Sequence, residues 1–264
     1  MRIHSLGVRR DERVGVMSGL GERRTITVAR TETDEPEAVR ERYARRPPDL
    51  WRYSPLNPAV LLATQERQRA TADLFVGLGW VDLSELHLLE VGCGTGCNLL
   101  EFLRLGFKPE HLQGIELLAA GVERARKDLP PSVRIALGDA AGAESSFVPE
   151  ASQDIVYQST VFSSLLDDRF QQRLADTMWK WLRPGGGILW YDFTVNNPGN
   201  RDVRGVPVSR IRELFPHGAM RVQRITLAPP VARAVTRLHP TLYAVLNSVI
   251  WLRTHVLVWV EKPQ

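Results

Sequence analysis

Three glycines alternate at Gly92, Gly94 and Gly96, directly behind an acidic residue at Glu90. Apolar residues precede them at Leu86, Leu88, Leu89 and Val91, and apolar positions at helical spacing follow at Leu99, Leu100, Phe102 and Leu103. The stretch reads as strand, tight turn and helix. Such a turn lets a ligand lie against bare backbone. It also points amide N–H groups and the positive end of a helix dipole at the ligand. The dinucleotide fingerprint is G-x-G-x-x-G; the spacing here is G-x-G-x-G, a different loop. Further chemistry-bearing residues stand at the ends of later apolar segments. Glu116 closes "LQGIE", 20 residues after Gly96, and Asp139 follows "VRIALG". Asp192 closes "GGGILWYD" and heads a polar loop with Asn196, Asn197, Asn200 and Arg201. Open α/β sheets bind ligands outside the carboxyl ends of their strands. Asp192 is therefore a candidate general base, with loop anchoring as its alternative role. His217 and His255 are the other candidate bases, each with a structural or surface role as the alternative.

These residues need a frame. Strands are expected at 86–91, 112–116, 133–137, 154–159, 187–193, 221–227 and 255–261, and helices at 96–105, 119–128, 168–182, 207–214 and 231–250. That alternation predicts an α/β fold, a Rossmann-like, seven-stranded, mostly parallel sheet with helices on both faces. The last two strands are joined by a helical excursion with no evident parallel crossover. Upstream, Asn57-Pro58 supplies an N-cap and a first-turn proline for a helix running to about Leu78. A short charged helix is expected from Pro36 to about Leu50, ended by Pro47-Pro48. Residues 1–35 are arginine-rich and carry no repeating apolar face, so they read as a mobile basic tail whose deletion should leave the thermal midpoint nearly unchanged. The domain reading is thus a tail over 1–35, an N-terminal helical lid over 36–80, and a ligand-binding domain over 81–264 with a helical insertion near 231–250.

The run "EVGCGTG" resembles the first motif of the class I S-adenosylmethionine (SAM)-dependent methyltransferases, whose form is acid-x-G-x-G-x-G. Four later segments resemble that family's motifs in order: "LQGIEL", "VRIALGDAA", "SQDIVYQSTVFSSLLD" and "WLRPGGGILWYDF". The resemblance spans about residues 55–262. It implies SAM as cofactor, with Glu90, Gly92, Cys93, Gly94, Gly96 and Asn98 forming the loop beneath it. It also implies that Glu116 accepts both ribose hydroxyls, with Leu117 beside it. Asp139 would accept from the adenine amine while the Ala140 N–H meets a ring nitrogen. Gln158 and Ser159 would border the methionine moiety. Tyr43 and Tyr53, with Trp51, precede the sheet where this family places a lid over cofactor and acceptor. Methyl transfer is an in-line displacement, for which alignment alone can supply roughly 7–11 kcal/mol of the barrier. A base is needed only where the nucleophile must lose a proton.

The acceptor is read by elimination. "NNPGN" differs in place from the N-P-P signature of amino-directed nucleic-acid methyltransferases, and no cysteine stands near the fourth strand for cytosine-C5 chemistry. No RNA-binding appendage is recognisable. Asp192 with Asn196 or Asn197 supplies only part of a metal-dependent catechol-type site, so no metal is expected. A small-molecule acceptor, O- or N-directed, is the expectation, from specialised metabolism or surface-glycan assembly, with Tyr43, Tyr53, Asn196, Asn197 and Arg201 as its contacts. The helix at 231–250 carries Arg233, Arg237 and Tyr243, with Trp251 just beyond. It could bind a carboxylate or phosphate; its alternatives are cover for the sheet or contact between two copies of a homodimer. An RNA or protein methyltransferase stays open if the basic C-terminal region forms one face, as does a SAM-binding protein without catalysis.

Composition agrees with a globular domain: 264 residues, 44% hydrophobic and 24% charged. Net charge is +4, unevenly spread, with ten basic and three acidic residues in 201–264. The two cysteines, Cys93 and Cys97, make no disulfide framework, and the C-x3-C spacing lacks partners for zinc. The first residues, "MRIHSLGVRRDERVG", lack an apolar secretory core. A cytoplasmic setting without a transmembrane segment is expected.

Overall fold

The computed structural model describes residues 34–46 and 51–264. The expected tail falls almost wholly outside these residues, as do Pro47 and Pro48. Seven strands form one sheet: β1 (Leu88–Val91), β2 (Leu112–Glu116), β3 (Arg134–Leu137), β4 (Gln153–Ser159), β5 (Leu182–Phe193), β6 (Ala219–Leu227) and β7 (Arg253–Glu261). Their spatial order is β3-β2-β1-β4-β5-β7-β6. The pairs from β3 to β5 are parallel, and β7 runs antiparallel between β5 and β6. This explains the missing parallel crossover: the chain leaves β6, passes through helices and returns in the opposite direction. One end of the sheet therefore collects the carboxyl ends of β1–β6 and the amino end of β7.

Every residue of β1 and β2 is buried, as a sheet covered on both faces requires. One face is covered by α5 (Asp168–Trp181) and α6 (Val208–Leu214), packed on Val156, Ile188, Trp190 and Val258. The other carries α3 (Cys97–Leu105), α4 (Ala119–Asp128) and α2 (Pro58–Gly77), packed on Leu88, Ile155, Leu189 and Leu257. Asn57 caps α2 by accepting from the Ala59 N–H at 3.0 Å, with Pro58 in its first turn. Asp167 caps α5 by accepting from the Phe170 N–H at 2.7 Å.

Two expectations change. The helix at 231–250 is two helices, α7 (Pro229–Leu238) and α8 (Thr241–Asn247). The break is at His239-Pro240: proline supplies no N–H and forces His239 into an extended conformation, φ −162° and ψ 133°. The expected lid also divides. α2 packs on β6, β7 and α7 and covers the sheet, whereas α1 (Glu35–Ala44) reaches the ligand end through Val39 and Tyr43.

A buried ion pair docks α1. Arg42 donates to Glu35 Oε1 at 2.5 Å and to the Ser164 carbonyl at 2.9 Å, and Glu35 Oε1 also accepts from the Leu166 N–H at 2.7 Å. Glu35 thus belongs to the folded unit, as does Asp34, which caps α1, so a tail ending at residue 35 is drawn too long. Removing one partner of a buried pair costs about 3–5 kcal/mol. A ten-residue helix has little else to hold it, so Arg42→Ala should release α1 and weaken cofactor binding at least ~10-fold. The thermal midpoint of the cofactor-free protein should move far less. Calorimetry that finds cofactor affinity unchanged would remove α1 from the binding site.

Candidate functional site

At the carboxyl end of the sheet a cavity of about 470 Å³ lies over β1, β2 and β4. Its base is the glycine turn. Gly92 and Cys93 donate their N–H groups to the Ile115 carbonyl at 2.8 and 3.2 Å, pinning the turn to β2. Gly92 and Gly96 have φ of +67° and +83°, the left-handed region that disfavours side chains. A Cβ would also approach Val161 to 2.5 Å at Gly92 and Leu129 to 2.7 Å at Gly96, whereas at Gly94 it would meet only open space. Gly92 and Gly94 line the cavity; Gly96 is the N-cap of α3 and serves packing.

Glu116 closes the cavity at the end of β2. Its Oε2 accepts from the Gly94 N–H and its Oε1 from the Leu118 N–H, both at 2.8 Å. One carboxylate thus ties the glycine turn to the next loop and still lines the cavity. Asp139 lines it at the end of β3, with Oδ1 accepting from the Ala141 N–H at 2.9 Å. Leu117, Ala140 and Ser159 also line it, and Val91, Ile115, Phe170 and Leu174 make apolar walls.

Besides Gly96, four residues expected at the cofactor sit elsewhere. Cys93 turns its side chain into the core, where it packs against Gly114, and burial pushes its thiol pKa up. Gln158 is fully buried: it accepts from the Val161 N–H at 3.0 Å and donates to the Tyr191 carbonyl at 3.3 Å, shaping the turn after β4. Glu90 and Asn98 join a network beneath the loop. Asn98 donates to Glu90 Oε1 at 2.6 Å and accepts from Arg67 at 2.7 Å, and Arg67 also donates to Ser159 Oγ at 3.3 Å. Burial pushes the Glu90 carboxyl up to about 8, against the Asn98 hydrogen bond and the Arg67 charge. Glu90 is therefore mostly protonated at neutral pH.

A second cavity, about 450 Å³, adjoins the first and shares Tyr43, Thr160 and Ser164 with it. Of the expected acceptor contacts, Tyr43, Tyr53, Asn196 and Asn197 line it, and so does the candidate base His255; Arg201 is exposed outside it. Asn196 accepts from the Gly205 N–H at 2.8 Å and Asn197 from the Gly199 N–H at 3.0 Å, so both also brace their loop. His255, the third residue of β7, pairs opposite Phe193, stacks on Tyr191 at 5.1 Å and lies 3.0 Å from Thr254 Oγ1. Burial, with the Arg67 charge, holds its imidazole down at about 4. It is a neutral group that can orient an acceptor and is a weak base.

The other two candidate bases are displaced. His217 is exposed just before β6, which runs parallel to β5, so it lies at the opposite end of the sheet from both cavities. Asp192 is fully buried and lines neither cavity; Oδ2 accepts from the Ser163 N–H at 3.1 Å and Oδ1 from the Phe193 N–H at 2.9 Å. Burial pushes it up to about 7 against these hydrogen bonds. It anchors backbone beside the acceptor cavity. Asp192→Asn should therefore lower the single-turnover rate less than ~10-fold, short of the 10²–10⁴ that loss of a general base causes. A loss of about 10³ in a folded variant would restore the base role.

Two residues at the site carry no local sequence signal. Thr160 has φ +58°, strained for a β-branched residue, and is held there because its N–H donates to the Tyr191 carbonyl at 2.8 Å. It stands where the cavities meet. Arg67, in the polar run "QERQR" of α2, reads as solvent-facing yet is largely buried over Tyr191, 5.0 Å from its ring. Among the described residues, no three His, Cys, Asp or Glu side chains gather to hold a metal. No described helix is long and apolar enough to cross a membrane.

Residues 88–186 match the model of a methyltransferase-domain family. No match is found among curated proteins. Many solved structures share the fold. A SAM-dependent methyltransferase from Archaeoglobus fulgidus is 12% identical at TM-score 0.51, covering 76% of this chain and 98% of its own. One from Mesorhizobium loti is 16% identical at TM-score 0.52, with coverage of 74% and 96%. Geranyl diphosphate C-methyltransferase from Streptomyces coelicolor A3(2) is 12% identical at TM-score 0.54, with coverage of 74% and 76%. The first cavity is lined by the glycine turn and by Glu116, Asp139, Ala140 and Ser159, the residues that would meet the ribose, the adenine and the methionine end of SAM. The domain match over residues 88–186, together with the shared fold, supports a SAM-dependent methyltransferase of the class I superfamily.

Proposed function

We propose that this methyltransferase acts on a small-molecule acceptor bound in the second cavity. The supporting observation is the junction of two concave spaces: an acceptor cavity of about 450 Å³ opens into the cofactor cavity at Tyr43, Thr160 and Ser164. That volume suits a small organic ligand. SAM supplies an electrophilic methyl when bound; the chain's part is to align the acceptor and exclude water. The lining offers His255 as a weak, neutral hydrogen-bonding group, which favours an acceptor atom that needs no prior deprotonation. Several basic C-terminal residues support the same reading, because they are paired or lie at separate places on the fold. Arg204 pairs with Asp168 and Arg210 with Glu213, while Arg221 and Lys262 lie toward the far end of the sheet on the Gly77, Trp179 and Leu182 carbonyls. A single nucleic-acid-binding surface would need them together.

The test is transfer from methyl-labelled SAM in an extract divided by size. Label should enter the fraction below about 1 kDa. Label in RNA or protein instead would overturn the small-molecule reading. SAM binding without labelling of any fraction would favour a binding protein.

A further inference from the structure

Between the end of α7 and the start of β7 the chain turns large apolar side chains outward. Leu238 is 80% exposed, Val245 57%, Ile250 50% and Trp251 89%. Their neighbours face inward. In α8, Tyr243 donates to Glu66 Oε2 at 2.8 Å and Asn247 to Glu66 Oε1 at 2.7 Å, which fixes the inner face. Val245, midway between those two, lies on the opposite side of the helix. Leu246 and Leu252 pack against the buried cluster of Ala59, Leu227, Ala232 and Tyr243. α7 touches α8, and α8 touches the turn Ile250–Leu252, so the outward residues stand on adjoining elements. Single exposed apolar residues need no explanation, but a group of them on one surface marks an interaction site. That surface is basic. Five arginines and no Asp or Glu stand between Glu213 and Glu261. Arg237 is exposed directly before Leu238. Arg253, two residues after Trp251, donates to the Asn247 and Arg224 carbonyls at 2.7 and 2.9 Å, acceptors that leave its positive charge in the field. Trp51, 61% exposed, lines one depression with Arg237.

We infer that Leu238, Val245, Ile250 and Trp251, with Arg237 and Arg253, seat the protein peripherally on an anionic phospholipid bilayer. Charge complementarity selects this occupant. Anionic headgroups attract arginines near the surface, while tryptophan and aliphatic side chains enter the headgroup and acyl boundary. A bilayer also accepts separately projecting side chains without a matching shape. A second copy of the chain fits less well: a two-fold contact sets the patch against itself, arginine against arginine, with no acid of the segment to pair them. Glu66, the carboxylate beneath α8, is buried and already holds Tyr243 and Asn247. Docking does not depend on which acceptor is methylated. α7 runs from the acceptor cavity, which Pro229 and Pro230 line, to Leu238, so a docked enzyme holds that cavity within about 15 Å, one helix length, of the headgroups.

Sedimentation of the full chain with lipid vesicles is the test. Vesicles of phosphatidylcholine with about 30% phosphatidylglycerol should carry the protein down, and phosphatidylcholine alone should bind it at least ~10-fold more weakly. Trp251→Ser should weaken binding to the anionic vesicles by about 10-fold or more, and Arg237→Gln by about 5-fold. Leu238→Ser repeats the apolar test on α7 if the Trp251 variant does not fold. Val81→Ser removes an equally exposed apolar residue ahead of β1, at the opposite end of the sheet, and should change nothing. SAM affinity should stay within about 2-fold in every variant. No sedimentation with anionic vesicles, equal binding to neutral ones, or equal losses in the Val81 and Trp251 variants would overturn docking on a bilayer. So would a wild-type dimer in analytical ultracentrifugation that Trp251→Ser dissociates, which would give the surface to a second copy. Each of these outcomes leaves the small-molecule reading standing, because labelling of the size-divided extract is read without vesicles.

Discussion

Glu116→Ala is expected to weaken SAM binding by roughly 10- to 150-fold. That range corresponds to the charge-assisted hydrogen bonds the carboxylate would make to the ribose hydroxyls, worth about 1.5–3 kcal/mol. The structure adds a second reason. The same carboxylate holds the Gly94 and Leu118 N–H groups, each at 2.8 Å. Truncation frees the glycine turn and the loop after β2 together, so the site loses a ligand contact and its shape. Glu116→Gln separates these contributions. Its carbonyl can accept one N–H, but its amide would face the other donor, so Gln should recover part of the loss and not all. Calorimetric titration of a folded Ala variant giving an unchanged dissociation constant would overturn the assignment of Glu116.

The second large effect is on stability and runs with pH. Glu90 is fully buried and its carboxyl is raised to about 8, against about 4.3 in an unfolded chain. Between those values the folded protein holds a proton that the unfolded chain releases. Its stabilising contribution is therefore complete below about pH 4 and is lost as pH rises through 8. Asp192, raised to about 7, acts in the same direction. Glu90→Gln keeps the shape, and its carbonyl can still accept from Asn98, but it cannot ionise. The variant should match the wild type near pH 5 and exceed it by roughly 2–5 kcal/mol at pH 9. In a domain of this size that is a rise in thermal midpoint of about 5–15 °C. Thermal unfolding without cofactor at pH 5, 7 and 9 measures it; parallel wild-type and variant curves would show that Glu90 ionises freely.

Sequence by itself determined the parts of this protein whose physics is local. A glycine turn needs positive φ at fixed places, the cap of α2 needs Asn57, and a doubly covered sheet needs largely apolar strands. Each leaves its mark on adjacent residues, so the strand–helix alternation and the lining contributed by Gly92, Gly94, Glu116, Asp139 and Ser159 were legible. Tertiary structure decided what depends on the direction in which the chain returns. Only the antiparallel entry of β7 brings His255 to the second cavity, and only the parallel course of β6 carries His217 to the far end of the sheet. Burial depth was equally hidden. Asp192 and Gln158 have residue types suited to ligands, yet Asp192 is consumed by two backbone N–H groups and Gln158 by one N–H and one carbonyl, all of which become neighbours only on folding. Arg67 looks like a surface residue because its partners Asn98 and Ser159 are 31 and 92 positions away. Thr160 shows no trace in sequence, since its strained backbone is imposed by a hydrogen bond to Tyr191 across the sheet. Contacts between residues distant in sequence set such roles, and no local pattern records them.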